Sequence, residues 1–222
     1  MIQKRLAIIG ICVVAIHCSF VSVLAAGAFT EADLLTRKIQ ATTIKNKTFD
    51  QVLDILTIDY QIPVGIELSA SKLPRRKINL ELPETNLKEF LNAVFAKDPQ
   101  YTWKLEGDVI NVWPLTGRDA LMEILLETKI SHFSFTEAAS TYRIHGDIMD
   151  LPEIKTKLIV AGVDPMIFLN SGTMVKVGKG IWFDETNLTL RQLLNTILKK
   201  TESKRWVLYR WGDNNEYITL TS

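Results

Sequence analysis

The chain has 222 residues, too many for one minimal domain and enough for one large or two small ones. Hydrophobic residues at 47% and charged residues at 23% are those of an ordinary globular chain, which excludes disorder, collagen-like repeats and a multi-span membrane protein. Lys and Arg (26) balance Asp and Glu (25) at a formal charge of +1 with no basic block, so the electrostatic footprint that nucleic acid requires is missing.

Residues 1–28 read as a signal peptide. Lys4 and Arg5 precede an apolar run from Leu6 to Ile16 that continues, broken by His17 and Ser19, to Leu24. Ala26-Gly27-Ala28 offers a small-x-small cleavage site, and Ala25 behind Val23 a rival one. Left uncleaved, the segment approaches the ~20 residues of a membrane span and would anchor the chain in the inner membrane. Cys18 follows Ala15-Ile16-His17 rather than the small residue a lipoprotein needs. Both cysteines, Cys12 and Cys18, lie in this segment, so the mature chain has no disulfide, thiol chemistry or cysteine metal site. Losing Lys4 and Arg5 leaves 24 basic against 25 acidic residues. The expected location is periplasmic or secreted, with no membrane span after cleavage.

Next, a strand at about Ile39–Ile44 leads to Thr48 and Gln51, the two members of a capping box. Phe49, Val52, Leu53, Leu56 and Tyr60 mark the helix that follows, and Pro63 closes it. Val64–Leu68 reads as a strand. Beyond the polar Ser69–Lys77 connection, Ile78, Leu80 and Leu82 alternate with Asn79 and Glu81, the pattern of a strand with one buried face, until Pro83. Leu87, Phe90, Leu91, Val94 and Phe95 follow the i, i+3, i+4, i+7, i+8 spacing of an amphipathic helix, opened by Asn86 and Glu89. A hairpin comes last, with Trp103 and Leu105 on one arm, Glu106-Gly107-Asp108 at the turn, and Ile110 and Val112 on the other. Residues 38–114 thus make one α+β module, a short mixed sheet covered by two helices.

Within residues 115–130, Arg118–Thr128 reads as a linker helix. Ser131–Phe135 reads as the strand that opens a second module, 131–222. The pattern repeats at an offset of 103 residues: Leu190, Leu193, Leu194, Ile197 and Leu198 reproduce the Leu87–Phe95 series position for position. Asn195 matches Asn92, Thr189 with Gln192 matches the helix opening, and Trp206 and Leu208 match Trp103 and Leu105. After the longer turn Gly212-Asp213-Asn214-Asn215, Ile218 and Leu220 stand as counterparts of Ile110 and Val112. A helix from Pro152 through Ile159, a strand at Met166–Leu169 and a strand pair at Met174–Phe183 fill the remaining places. The equivalence gives Trp103 and Trp206 one shared, buried core role.

The run from Thr48 to Val112, with Val64-Gly65-Ile66-Glu67-Leu68, Ile78-Asn79-Leu80-Glu81-Leu82, the Leu87–Phe95 helix and the Trp103-Lys104-Leu105-Glu106-Gly107-Asp108 hairpin, resembles the secretin and TonB N-terminal short domain, the STN domain. The second copy, at about Ser131–Leu220, resembles it in its last two-thirds. The resemblance implies two tandem STN-like modules in the periplasm, where such modules contact other parts of export machines or signal to inner-membrane regulators. The 222 residues hold no succession of alternating ~10-residue strands for an outer-membrane barrel, so no pore or receptor role is expected. The expectation is a freestanding, non-catalytic protein-interaction module of the cell envelope. It would be accessory to a secretin or pilus-type export system or to TonB-linked signalling, with an envelope protein as partner and a homo-oligomer possible. The alternative is an envelope protein that binds glycan or peptidoglycan.

Catalytic constellations are scarce. His145, Asp147, Asp150 and His132 match no metal spacing and read as solvated loop residues. Ser171-Gly172-Thr173 lacks the nucleophile elbow, and Gly172, Gly178 and Gly180 form no phosphate loop. No catalytic, cofactor or metal residue is assigned. Trp113, Trp182 and Trp211 have no repeat counterparts and lie near strand ends or turns, which makes them a candidate partner surface. Arg75 and Arg76, in the cluster Lys72-Leu73-Pro74-Arg75-Arg76-Lys77, are a second candidate, as an anionic-ligand or membrane-surface contact. The sequons at Asn46 and Asn187 are explained by the caps at Thr48 and Thr189. The hairpin strands Tyr101–Leu105, Val109–Val112, Trp206–Tyr209 and Tyr217–Leu220 lack the dense Lys or Pro protection of a guarded edge, so one of them is expected to accept a partner strand beside Trp113 or Trp211.

Overall fold

The computed structural model describes residues 31–69, 76–135, 141–165, 182–201, 203–211 and 217–221. The expected leader, the expected Met166–Leu169 strand, Arg75 and most of the expected Met174–Phe183 pair lie outside the described residues. The first half runs α1 (Glu31–Leu35), β1 (Lys38–Ile39), β2 (Thr42–Thr48), α2 (Phe49–Ile58), β3 (Val64–Ser69), β4 (Lys77–Leu82), β5 (Thr85–Asn86) and α3 (Leu87–Lys97), then the hairpin β6 (Tyr101–Glu106) and β7 (Val109–Pro114). The second runs α4 (Ala120–Leu126), β8 (Lys129–Phe135), α5 (Thr141–Met149), α6 (Pro152–Val160), β9 (Asp164–Pro165), β10 (Phe183–Thr189) and α7 (Leu190–Lys200), then the hairpin β11 (Arg205–Trp211) and β12 (Tyr217–Thr221). The class is α+β.

Local chemistry accounts for the helix starts. Gln192 N–H donates to Thr189 Oγ1 (3.2 Å) while Thr189 N–H donates to Gln192 Oε1 (2.9 Å), closing the box that opens α7. At α3 the box is half made: Glu89 N–H donates to Asn86 Oδ1 (2.9 Å), and the Glu89 carboxylate accepts from the Thr85 hydroxyl instead. Asn46 and Asn187 both sit in the left-handed region (φ 53° and 56°), each two residues before a helix cap and at an interruption of its strand ladder. Asn tolerates that conformation better than most L-residues, so the Asn-x-Thr pairs are bulge-and-cap devices.

Both halves repeat their internal bonding. The first N–H of α3, on Leu87, donates to Arg37 O at 2.9 Å, and the first N–H of α7, on Leu190, donates to Thr128 O at 2.9 Å. β2 pairs antiparallel with β4, as β8 does with β10. The helix read as a linker forms as α4 and precedes β8 as α1 precedes β1. The hairpin registers pair Leu105 with Ile110 and Leu208 with Leu220, so Leu220 is the counterpart of Ile110, and the assignment to Ile218 is corrected.

Where the sequence reading gives each half its own sheet, the two three-stranded pieces are continuous. The order is β6-β7-β3-β11-β12-β9, with β3 parallel to both β7 and β11. Val64, Ile66, Ile110, Val112 and Val207 face the first core, with α2 and α3. Val109, Trp206, Leu208, Ile218 and Leu220 face the second, with α4 and α7. Side chains alternate along a strand, so the two cores occupy opposite faces of one sheet. β6 and β11 run in opposite directions, so the halves are related by a half turn about an axis across the strands combined with a shift of three strands along it.

Candidate partner-binding edge

β6 is an end strand of the sheet, whereas its counterpart β11 is flanked on both sides. The other expected edges are corrected: β7, β11 and β12 are interior strands, and Asn111 on β7 is fully buried. Pro114 cannot donate, so the Tyr101–Pro114 pair is of the non-bonded kind, and bonded pairs alternate with it along the ladder. The backbone N–H and C=O groups of Trp103 and Leu105 therefore point away from β7, toward the side where the sheet ends.

The two equivalent tryptophans have different surroundings. Trp206 is 1% exposed, its Nε1–H donates to Asn195 Oδ1 (2.9 Å), and its ring covers Gly65 of β3 so closely that a Cβ there would lie 2.3 Å from Cε2 and Cζ2. Only glycine fits beneath that indole. Trp103 is partly exposed, tilted against Phe95 at 6.5 Å, beside the stacked pair Phe49–Tyr101. Its expected burial is corrected: Trp206 is sealed by a neighbouring strand, and among the described residues β6 has none on that side. Asn92 on α3, the counterpart of Asn195, is exposed.

The joint that seals Trp206 carries charge as well as shape. Glu67 of β3 is fully buried. Arg118 grips it through two hydrogen bonds of 2.8 Å, and Arg191 Nη1 stands 2.8 Å from Oε1. Arg118 also bonds Glu123 (2.8 Å) and Arg191 bonds Glu127 (3.1 Å). Desolvation opposes the Arg118 charge, and the Glu67 hydrogen bond with the Glu67, Glu123 and Glu127 charges outweighs it, raising the pKa. Arg191 is the second residue of α7. Its counterpart on α3, Lys88, is exposed.

The other expected surface residues do not converge at this edge. Trp113, near the end of β7, is partly exposed with the Arg118 guanidinium 5.6 Å above its ring. Trp182, just before β10, is 64% exposed. Trp211 ends β11 opposite Tyr217. Arg76 is exposed ahead of β4, and its charge acts on Asp98, whose carboxyl is pushed up by burial and drawn back by the Gln100 N–H and Arg76.

The residues weighed for metal chemistry part company. His145, read as a loop residue, is buried in α5. The exposed His132 Nε2 lies 2.9 Å from Asp184 across β8 and β10. No group of three or more His, Cys, Asp or Glu suited to a metal occurs among the described residues. An open groove is lined by Ile124, Glu127, Lys129, Pro152, Glu153 and Lys157, and its Glu153 carboxylate is held low by the Ser131 hydroxyl and N–H. Among the described residues no helix is long and apolar enough to cross a membrane. No protein-family model, curated protein or solved structure matches the chain.

Proposed function

We propose that the protein is a non-catalytic interaction module of the cell envelope that holds a partner protein by strand addition at β6. The observation that carries this reading is the unequal treatment of equivalent strands: β11 has a neighbour on each side, and β6 ends the sheet with Trp103 partly exposed. The signal-like leader and the STN resemblance of residues 48–112 support an envelope location. They also support a place beside a secretin, pilus-type or TonB-linked system.

Lys104, 65% exposed on β6, is the position for the test. A photo-cross-linking residue there, in cells making the full chain, is expected to form an adduct with one envelope protein. The same residue at Asp59, an exposed site on the turn after α2, is expected to form none. Equal labelling from both sites, or none from Lys104, would overturn the reading.

A further inference from the structure

We propose that the β6 edge takes a parallel partner strand of the pattern apolar–glycine–apolar–acidic, with its glycine opposite Trp103 and its acid against Lys88. This deepens the strand-capture reading and rests on it. The internal joint between β3 and β11 supplies the template. There a parallel strand reading Val64-Gly65-Ile66-Glu67 sets Gly65 opposite Trp206 and Glu67 opposite Leu208. Three features of the second half hold it: the Trp206 ring over Gly65, Asn195 bonded to that ring, and Arg191 on Glu67.

Each of the three has its counterpart in the first half at the constant spacing: Trp103 on β6, and Asn92 and Lys88 on α3, the helix whose Phe95 packs against Trp103. They lie on the same helix and strand as their equivalents, α3 and β6 in place of α7 and β11, and all three are wholly or partly exposed. The outward backbone groups of Trp103 and Leu105 supply the ladder, the glycine admits the indole, and the lysine neutralises the acid.

The occupant is a foreign strand rather than a second copy of this chain. At the same spacing the chain's own counterpart of Gly65 is Phe168, which leaves no room beneath an indole placed like that of Trp206. Pro165 of β9 also lacks the N–H that a ladder needs.

The test uses the full chain and a capped peptide copying residues 63–69, Pro-Val-Gly-Ile-Glu-Leu-Ser, followed by amide NMR and tryptophan emission. Binding is expected to shift the Trp103 signals and leave those of Trp206 in place. A nitroxide at the peptide N-terminus should broaden Thr102 rather than Glu106, since the strands run parallel. Replacing the peptide glycine by valine should weaken binding at least tenfold. Lys88→Glu, at an exposed position, should weaken it several-fold, and a peptide carrying Lys for Glu should restore it. Equal binding of the valine peptide, broadening at Glu106, or no shift at Trp103 would overturn the proposal, as would a concentration-dependent dimer of the chain alone. If the Lys104 adduct forms while the peptide arms fail, only this inference falls. If the adduct fails as well, the function reading falls with it.

Discussion

His145 shows how burial changes the chemistry of a single residue. The loop reading leaves its imidazole in water, but α5 carries it into the second core at 3% exposure, and desolvation lowers its pKa to about 4 from 6.5. The unfolded chain therefore binds a proton between those values that the folded chain refuses. Stability is complete above pH 6.5, falls as the pH drops toward 4, and loses about 3 kcal/mol once both values are passed. Urea midpoints at pH 7.5 and 4.5 check this. His145→Leu should flatten the difference between them, and a variant with an unchanged slope would show that other groups govern acid stability.

Asn187 belongs to the scale of the element, because its side chain matters less than the backbone it permits. At φ 56° it kinks the end of β10 so that Thr189 arrives as the cap of α7. A β-branched residue there would force strain onto the strand-to-helix junction. Asn187→Val should cost about 1–2 kcal/mol, whereas Asn187→Gly should be neutral or slightly stabilising. Thermal melts of the two variants separate backbone strain from any loss of side-chain bonding. Asn46 has the same conformation two residues before the Thr48 cap of α2, where Gln51 Oε1 accepts from Thr48 N–H at 3.0 Å. The junctions of both halves thus reuse one device at positions that the 103-residue repeat does not relate.

At the scale of the whole molecule, the shared sheet makes each half part of the other's boundary. Glu67 belongs to the first half by sequence, and its guanidinium partners, on Arg118 and Arg191, stand just before the Asp119 cap of α4 and in α7. Glu67→Gln leaves those charges without their buried counter-ion, and the expected cost is about 3–5 kcal/mol. Amide exchange at Leu53 and Leu194, one in each core, should then report equal losses of protection, because the joint supports both faces. Loss confined to one of them would show two independent folding units.

The amphipathic spacing of Leu87–Phe95 and Leu190–Leu198, the capping boxes at Thr48 and Thr189 and the 103-residue offset were legible in the chain, because helices and their starts are set by neighbours three or four residues apart. The same local logic misjudged α5, whose Thr141–Met149 segment carries His145, Gly146 and Asp147 where a continuous apolar stripe would mark a helix. Which hairpin arm would end the sheet was not legible. β6 and β11 carry the same Trp-x-Leu pattern, and pattern alone makes them equal. The tertiary structure broke that tie. Gly65 fits under Trp206, and Glu67 draws in an arginine 51 residues away along the chain. One edge was thereby closed from within and its twin left open, because strand neighbours are chosen by shape and charge brought together from distant sequence, which no local periodicity records.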